Sequence, residues 1–574
     1  MRFTHESYAI LGLFFAITGS FLFLVFLHNV ESNPPIYILT VATLIMAASA
    51  VLSYHAIKDK SRKSKLYFLL TITILSLSIN LVPTARYNVF SGLGSPDNLD
   101  EYFVADVTLR NGFWGRPYEV SFETRAPAYY FSCLSITIFP TILSEVTGLD
   151  LSQVFSFVYP LIFSFIPALI FLMIDRAFQN VELAALSAIL YLEMYRFSAP
   201  QHGRQFMAIL FLVLMVFTVF KEHTSSKKTR NYLVLFFIFG FGVIVSHYTV
   251  SYFMLVIFLA MILGSHFSLG FKNSSRSINL INKQNFAYLL VLCFSWLLFF
   301  NFEYFSLSIS VIENSILAML RLTEQKWLSA ERTPGGTSGT IVTGWYILQT
   351  ALMIVGLLFA FYEKKKKTRV FLAWSLSALV LFSIFFATLV TPVFTSAVAF
   401  NRVYSMSLPL WIPFLAYILL KTNRKLKYAF LVFFLMVNLP INLGLPSYDR
   451  LVTFSPVKDV SPELAISQTF VLESDYLMWN WAQKYLSLNE SISVDIRGSL
   501  TMYFTHTLIP KNVGVPRFDL NSSYLALHFY NLKYELWWSA TNISKITNLN
   551  EILASSSIVY SNGESVLLVM PRNS

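Results

Sequence analysis

Long apolar runs, separated by short polar and charged breaks, fill the chain from residue 8 to residue 445. Crossing a bilayer core of about 30 Å takes roughly 20 apolar residues as a helix. Runs of that kind occupy 8–28, 36–56, 66–83, 152–174, 181–199, 205–220, 231–246, 249–265, 286–302, 343–362, 370–390, 404–420 and 428–445, and each is predicted to be a membrane-spanning helix. Only Arg2 precedes the first run and no small-residue cleavage site follows it, so it reads as an anchor and not as a removed signal peptide. No internal repeat is visible. Past residue 445 the pattern changes to mixed apolar and polar positions.

The breaks set an orientation. Lys58 to Lys65, Lys221 to Arg230, Lys272 to Lys283, Glu363 to Arg369 and Lys421 to Lys427 are basic, and all fall on one side if the thirteen spans alternate. Basic loops stay in the cytoplasm. This places the N-terminus inside and the C-terminal segment outside a plasma membrane that the chain crosses many times. Residues 127–145 are also apolar, but counting them as a span would move the later Lys-rich loops outside. They are read as a juxtamembrane segment on the outer face.

Domain organisation follows from the same pattern. Residues 1–65 carry two spans that precede the rest. Residues 66–445 form the main membrane domain, with a long outer loop at 84–151 and a second at 303–342. The second contains Arg332-Thr-Pro-Gly-Gly-Thr-Ser-Gly-Thr340, whose small turn-forming residues suit a connector or a lid. Residues 446–574 are predicted to be a small outer α/β domain. Leu477–Leu486 reads as an amphipathic helix, Ser491–Arg497 alternates as a strand, and Ser557–Val569 is a hairpin turning at Asn562-Gly563. The sequons at Asn489, Asn521 and Asn542 fit an outside location, whereas the sequon at Asn273 faces inward. The expected fold class is an all-α polytopic membrane domain with a small C-terminal α/β extracytoplasmic domain.

Composition narrows the function. Of 574 residues, 55% are hydrophobic and only 13% charged, which excludes a soluble enzyme, a disordered chain and a fibrous repeat. The net charge of +11 would suit nucleic acid only if it clustered on a soluble domain. It sits in the cytoplasmic breaks instead, so anionic membrane lipids are the expected partners and nucleic acid is not. Two cysteines, Cys133 and Cys293, give neither a disulfide framework nor a zinc-ligand spacing.

Candidate chemistry lies on the outer side. Asp97, Asp100 and Glu101 bring three carboxylates together just after the third span. Close carboxylates raise one another's pKa unless a cation intervenes, which suits a general base or a base with a divalent-metal ligand. The same residues also suit a solvated loop in which Asp97 caps a helix. Between the outer ends of the spans stand Arg86, Arg110, Arg116, Arg125, Arg196, Arg204, Arg321, Arg332 and Arg402 against a single Lys326, while the inner breaks carry 16 Lys and 7 Arg. The positive-inside effect does not explain that outer preference for Arg. A guanidinium grips phosphate or carboxylate in two places, so an anionic, phosphorylated ligand is expected. Arg402 has no acidic neighbour in sequence. Arg196, His202 and Arg204 share one outer turn, and His247 and Tyr248 the next. An isolated His at an interface is more often a structural hydrogen-bonder than a ligand.

This pattern resembles the GT-C superfamily of integral-membrane glycosyltransferases. Asp100-Glu101 resembles the Asp-Glu motif of protein O-mannosyltransferases and lipid A aminoarabinose transferases. Arg125-Ala-Pro-Ala-Tyr-Tyr130 is similar to the Pro-containing start of their juxtamembrane helix, and Val158–Phe220 has their span–turn–span look. The chain is closest in overall character to archaeal membrane proteins.

The resemblance implies transfer of a sugar from a polyprenyl-phosphate-type carrier to a protein, lipid or glycan acceptor, with inversion at the anomeric carbon. It implies Asp100 as the base, Glu101 as its support or a ligand, with Asp100, for a divalent cation such as Mg or Mn, and Arg402 on the carrier phosphate. The other candidates for substrate binding are Arg204, Arg196, His202, His247, Tyr248 and Arg125. The rival readings are a lipid or polysaccharide transporter or flippase, a glycan polymerase or ligase, and an assembly protein whose outer domain recruits partners. Apart from Arg196 at the outer end of 181–199, no Lys or Arg falls within a span, which argues against ion-coupled transport.

Overall fold

A computed structural model describes residues 4–28, 36–59, 61–81, 96–114, 130–192, 203–225, 229–267, 278–302, 305–306, 309–310, 337–363, 369–390, 400–442, 473–486, 492–494, 523–528, 531–532, 535–538, 543–546, 548–563 and 565–569. Every predicted span is helical there. The spans are α1 (His5–His28), α2 (Ile36–Ala56), α3 (Arg62–Asn80), α6 (Leu151–Phe178), α7 (Val181–Leu192), α8 (Gly203–Thr224), α9 (Thr229–Ser246), α10 (Tyr248–Phe267), α11 (Lys283–Phe300), α12 (Thr337–Tyr362), α13 (Arg369–Val390), α14 (Phe400–Lys421) and α15 (Arg424–Asn442). Two helices precede α6: α4 (Pro96–Asn111) and α5 (Ile138–Thr147). Among the described residues, six helices are long and apolar enough to cross a membrane by that measure alone: α6, α8, α10, α11, α13 and α14.

Helix is the form this sequence must take in lipid, where each backbone N–H and C=O needs an internal partner. The irregular stretch of α6 has a local cause. Pro160 and Pro167 have no N–H to give, the chain passes through a π-turn at Val154–Val158, and the helix breaks at Ser164-Phe165. Ser164 satisfies the backbone there by donating its Oγ–H to the Leu161 carbonyl at 2.6 Å.

Between the helices, apolar transfer supplies little attraction in lipid, so close packing and buried polar bonds hold them. Glycines make the closest approaches. A Cβ placed on Gly356 of α12 would stand 2.1 Å from the Phe414 carbonyl oxygen of α14, and one on Gly264 of α10 would stand 2.7 Å from the Leu372 carbonyl of α13. Gly356→Ala is therefore expected to part α12 from α14. Thermal unfolding of the purified protein in detergent checks this, with an expected cost of several kcal/mol from overpacking against rigid backbone. Two fully buried tryptophans also lock α13 to α14: Trp374 donates its indole N–H to the Leu410 carbonyl at 2.8 Å, and Trp411 donates back to Ala378 at 3.2 Å.

The described part of the apolar stretch at 127–145 forms turns at 130–137 and then α5, only 10 residues long. At 1.5 Å per residue it spans about 15 Å, half of a bilayer core. Ile142 and Val146 stand exposed while Pro140 and Thr141 are buried, so α5 is a short helix with one free apolar side.

The C-terminal residues build separate small cores. Strands β1 (Ile492–Ser493), β2 (Tyr524–Leu527), β5 (Ser557–Ser561) and β6 (Val566–Val569) make a sheet in the order β1-β2-β6-β5. The β1–β2 pair is parallel and the others are antiparallel. The β5–β6 hairpin turns where predicted, with Gly563 at φ +89°, a conformation that suits glycine. Helix α16 (Glu473–Tyr485) lays Met478, Trp479 and Ala482 against Ile492, Ala526 and Leu567. A two-stranded sheet, β3 (Leu536–Trp538) with β4 (Ile543–Lys545), and α17 (Leu549–Ser555) complete the region. The fold is thus a polytopic helical membrane domain with a small C-terminal α/β region.

Candidate active site

Glu101 lies in the second turn of α4 and is fully buried. A carboxylate so placed needs partners. One oxygen, Oε1, meets Arg204 Nε at 3.0 Å, and the other, Oε2, accepts the Gly203 backbone N–H at 2.6 Å. Gly203 and Arg204 are the first two residues of α8, so the carboxylate sits at a helix N-terminus. Free N–H groups and the helix dipole both favour a negative charge there. The approach depends on glycine: a Cβ on residue 203 would come within 3.2 Å of Glu101 Oε2 and 3.4 Å of Ile136.

Arg204 is 1% exposed and uses its whole fork. Besides Glu101, it donates from Nη1 to the Tyr248 hydroxyl at 3.2 Å and from Nη2 to the Tyr130 hydroxyl. Its guanidinium also lies 3.7 Å from the centre of the Tyr130 ring, a stacking geometry open to Arg and not to Lys. Tyr248 opens α10. His247, just before it, is 2% exposed, stacks on the Tyr248 ring at 4.7 Å, and accepts the Val250 N–H on Nδ1 at 3.3 Å. It therefore helps close the start of α10.

The segment at 130–137 is fastened to the end of α9. Leu134 N–H donates to the Val245 carbonyl at 2.7 Å, Ser135 Oγ to the Ser246 carbonyl at 3.4 Å, and the Tyr159 hydroxyl of α6 to the Ser135 carbonyl. Cys133 in this segment is 2% exposed, and burial pushes its thiol up to about 12, with the Arg204 charge acting against that rise. It is an inert packing group.

One further bond reaches α14. Gln205, next to Arg204, donates from Nε2 to Ser405 Oγ at 2.9 Å. Ser405 is three residues after Arg402 in the first turns of α14, so the backbone at Arg402 is about one helical turn from a residue bonded to α8.

The structure therefore brings Glu101, Arg204, Tyr248 and His247 together, and adds Tyr130, Gln205 and Ser405, which sequence reasoning did not single out as site residues. Asp100 precedes Glu101 in α4, and Arg402 precedes Ser405 by three residues in α14. Their side chains, and that of Asp97, lie outside the described residues, as do Arg125, Arg196, His202 and the loop at 311–336. Arg204 faces Glu101, Tyr130 and Tyr248, and both oxygens of Glu101 meet protein groups. Arg204 and Glu101 neutralise one another, because a buried charge is tolerable only when paired. Among the described residues, no group of three or more His, Cys, Asp or Glu gathers as a metal site would require.

No protein-family model matches the chain, and neither does any curated protein. Solved structures do match. The apo crystal structure of the Archaeoglobus fulgidus oligosaccharyltransferase superposes with a TM-score of 0.51 at 13% identity, over 90% of this chain and 75% of that one. The complex of AglB from the same organism with an inhibitory peptide and a dolichol-phosphate gives 0.49 at 13% identity, over 88% and 74%. ArnT from Cupriavidus metallidurans bound to undecaprenyl phosphate gives 0.46 at 12% identity, over 89% and 99%. The first likeness shows a shared fold: the chain is built like that oligosaccharyltransferase over most of its length.

Proposed function

We propose that the protein is a glycosyltransferase that moves a sugar from a polyprenyl-phosphate-type carrier to an acceptor at the outer face of the membrane. One observation carries this reading. The buried Glu101–Arg204 pair ties α4 to α8, and through Tyr130, Tyr248 and Gln205 it gathers the 130–137 segment, α10 and α14 around one end of the bundle. Residues far apart in the chain thus converge on one buried polar cluster. The fold shared with an oligosaccharyltransferase supports it. Residues 66–445 are the membrane catalytic part, 1–65 an N-terminal addition and 446–574 an outer domain. The basic loops place the N-terminus in the cytoplasm.

In this account Asp100 is the base. It takes the proton from an acceptor hydroxyl, or orients an acceptor amide, as that atom attacks the anomeric carbon. The bond from that carbon to the carrier phosphate breaks in the same displacement, so configuration inverts. Negative charge grows on the departing phosphate, and Arg402 stabilises it where it develops. The carrier's apolar chain stays in the bilayer, which is why the reaction needs a membrane protein. Glu101 holds the framework on which Asp100 stands. Its carboxylate does not fit as a ligand for Mg or Mn, since both oxygens are engaged and a guanidinium stands beside it. No step here runs through a cation.

Arg402→Ala is expected to weaken binding of a polyprenyl phosphate by roughly tenfold or more, the scale of a charge-assisted hydrogen bond to an ion. Lys365→Ala, in a cytoplasmic loop, should change it less than twofold. Titration of both variants in lipid nanodiscs checks this, and equal effects would remove the phosphate site from α14.

A further inference from the structure

The first turns of α14 depend on side chains from two other helices. Pro409 has no N–H to give to the Ser405 carbonyl, so the helix's own ladder skips this level. At the same level, two adjacent side chains bond outward to other helices. Ser405 accepts the bond from Gln205 of α8 at 2.9 Å, and the Tyr404 hydroxyl donates to Gln349 Oε1 of α12 at 2.6 Å. Gln205 is 5%, Tyr404 1% and Gln349 1% exposed. Adjacent helical residues point about 100° apart, so bonds from 404 and 405 to different helices fix both the rotation and the height of this turn. Arg402 is two and three residues before them.

We propose that Gln205 is a positioning residue for the carrier-phosphate site. Through Ser405 it holds the start of α14, and with it Arg402, beside the Glu101–Arg204 pair, so that the phosphate-binding side and the proton-accepting side of the reaction keep one geometry. This inference rests on the function proposed above. It assigns α8 two tasks in consecutive residues: Arg204 locks the helix to α4, and Gln205 locks it to α14.

The test uses the full-length protein in nanodiscs, with farnesyl phosphate as the binding probe and steady-state transfer kinetics beside it. Gln205→Leu and Ser405→Ala should each weaken farnesyl phosphate binding by about three- to tenfold, the scale of an interhelical hydrogen bond in lipid. Each should raise KM for the carrier by the same factor and lower kcat as well, because Arg402 also stabilises the charge that grows on the departing phosphate. The double variant should bind no more weakly than either single one, because both remove one bond. Ser405→Thr keeps the hydroxyl and should bind as wild type does, and Gln205→Leu should add nothing on an Arg402→Ala background. The inference is overturned if the two losses add, if Ser405→Thr behaves like Ser405→Ala, or if kcat falls while KM holds, since each outcome marks a merely structural bond. A wild-type protein that does not bind farnesyl phosphate overturns the proposed function along with it, so the two failures are distinguishable.

Discussion

Replacing Asp100 with Asn leaves the protein folded and lowers sugar transfer by roughly a hundred- to ten-thousandfold, the range a general base contributes. The substitution keeps size and shape and removes only the ability to take a proton. The assignment to Asp100 gains weight from what its neighbour does. Glu101 is fully buried, with one oxygen on Arg204 at 3.0 Å and the other on the Gly203 N–H at 2.6 Å. It would have to break both contacts to act on a substrate. Of the two adjacent carboxylates, Glu101 is therefore the anchor, and the proposed base is Asp100. Transfer measured beside thermal unfolding checks the claim, and an Asp100→Asn variant that glycosylates at the wild-type rate would end the catalytic assignment.

The second large effect is on stability. Glu101→Leu leaves the Arg204 guanidinium buried without its counter-charge, and Arg204→Met does the same to the carboxylate. Each is expected to cost about 3–5 kcal/mol, the usual penalty for an uncompensated buried ion. The double variant, Glu101→Leu with Arg204→Met, removes both charges and should recover most of that loss. Neutral side chains of similar bulk do not need the pairing. Chemical denaturation in detergent distinguishes the outcomes: single losses below about 1 kcal/mol would mean that water reaches the pair. Asp100→Asn thus stops activity and spares the fold, whereas Glu101→Leu harms the fold first.

The membrane part of this architecture was legible because lipid leaves few options. An apolar run near 20 residues long must close its own backbone bonds, so the thirteen predicted spans are helical wherever the structure describes them, apart from the break in α6 and the very ends of some runs. The stretch at 127–145 was set apart by another route, the alternation of the Lys-rich loops, and its described helix, α5, is only 10 residues long. The β5–β6 hairpin announced itself through Asn562-Gly563, because that pair suits the turn's backbone angles.

The partner of Glu101 was not legible. Gly203 lies 102 residues away in sequence, and nothing local in either segment records a contact made by packing helices. The preference for Arg over Lys on the outer side pointed correctly to groups that need a planar, multi-donor fork, but at Arg204 the fork serves Glu101, Tyr130 and Tyr248. Gln205 and Gln349 could have been found: an amide inside an apolar run must bond to something in lipid, so each marks a helix contact.

A glycosyltransferase of the proposed kind breaks the bond between a sugar and a lipid phosphate on the outer side of a membrane. The direct measurement is to reconstitute the purified protein in sealed liposomes with a polyprenyl-phosphate-linked radiolabelled sugar, add acceptor outside, and follow the lipid product. The account predicts free polyprenyl phosphate and labelled acceptor forming together, at a rate set by the protein and lost in Asp100→Asn. If intact sugar-carrying lipid instead crosses from one leaflet to the other with no phosphate released, the protein moves its lipid rather than cleaving it, and the account is wrong.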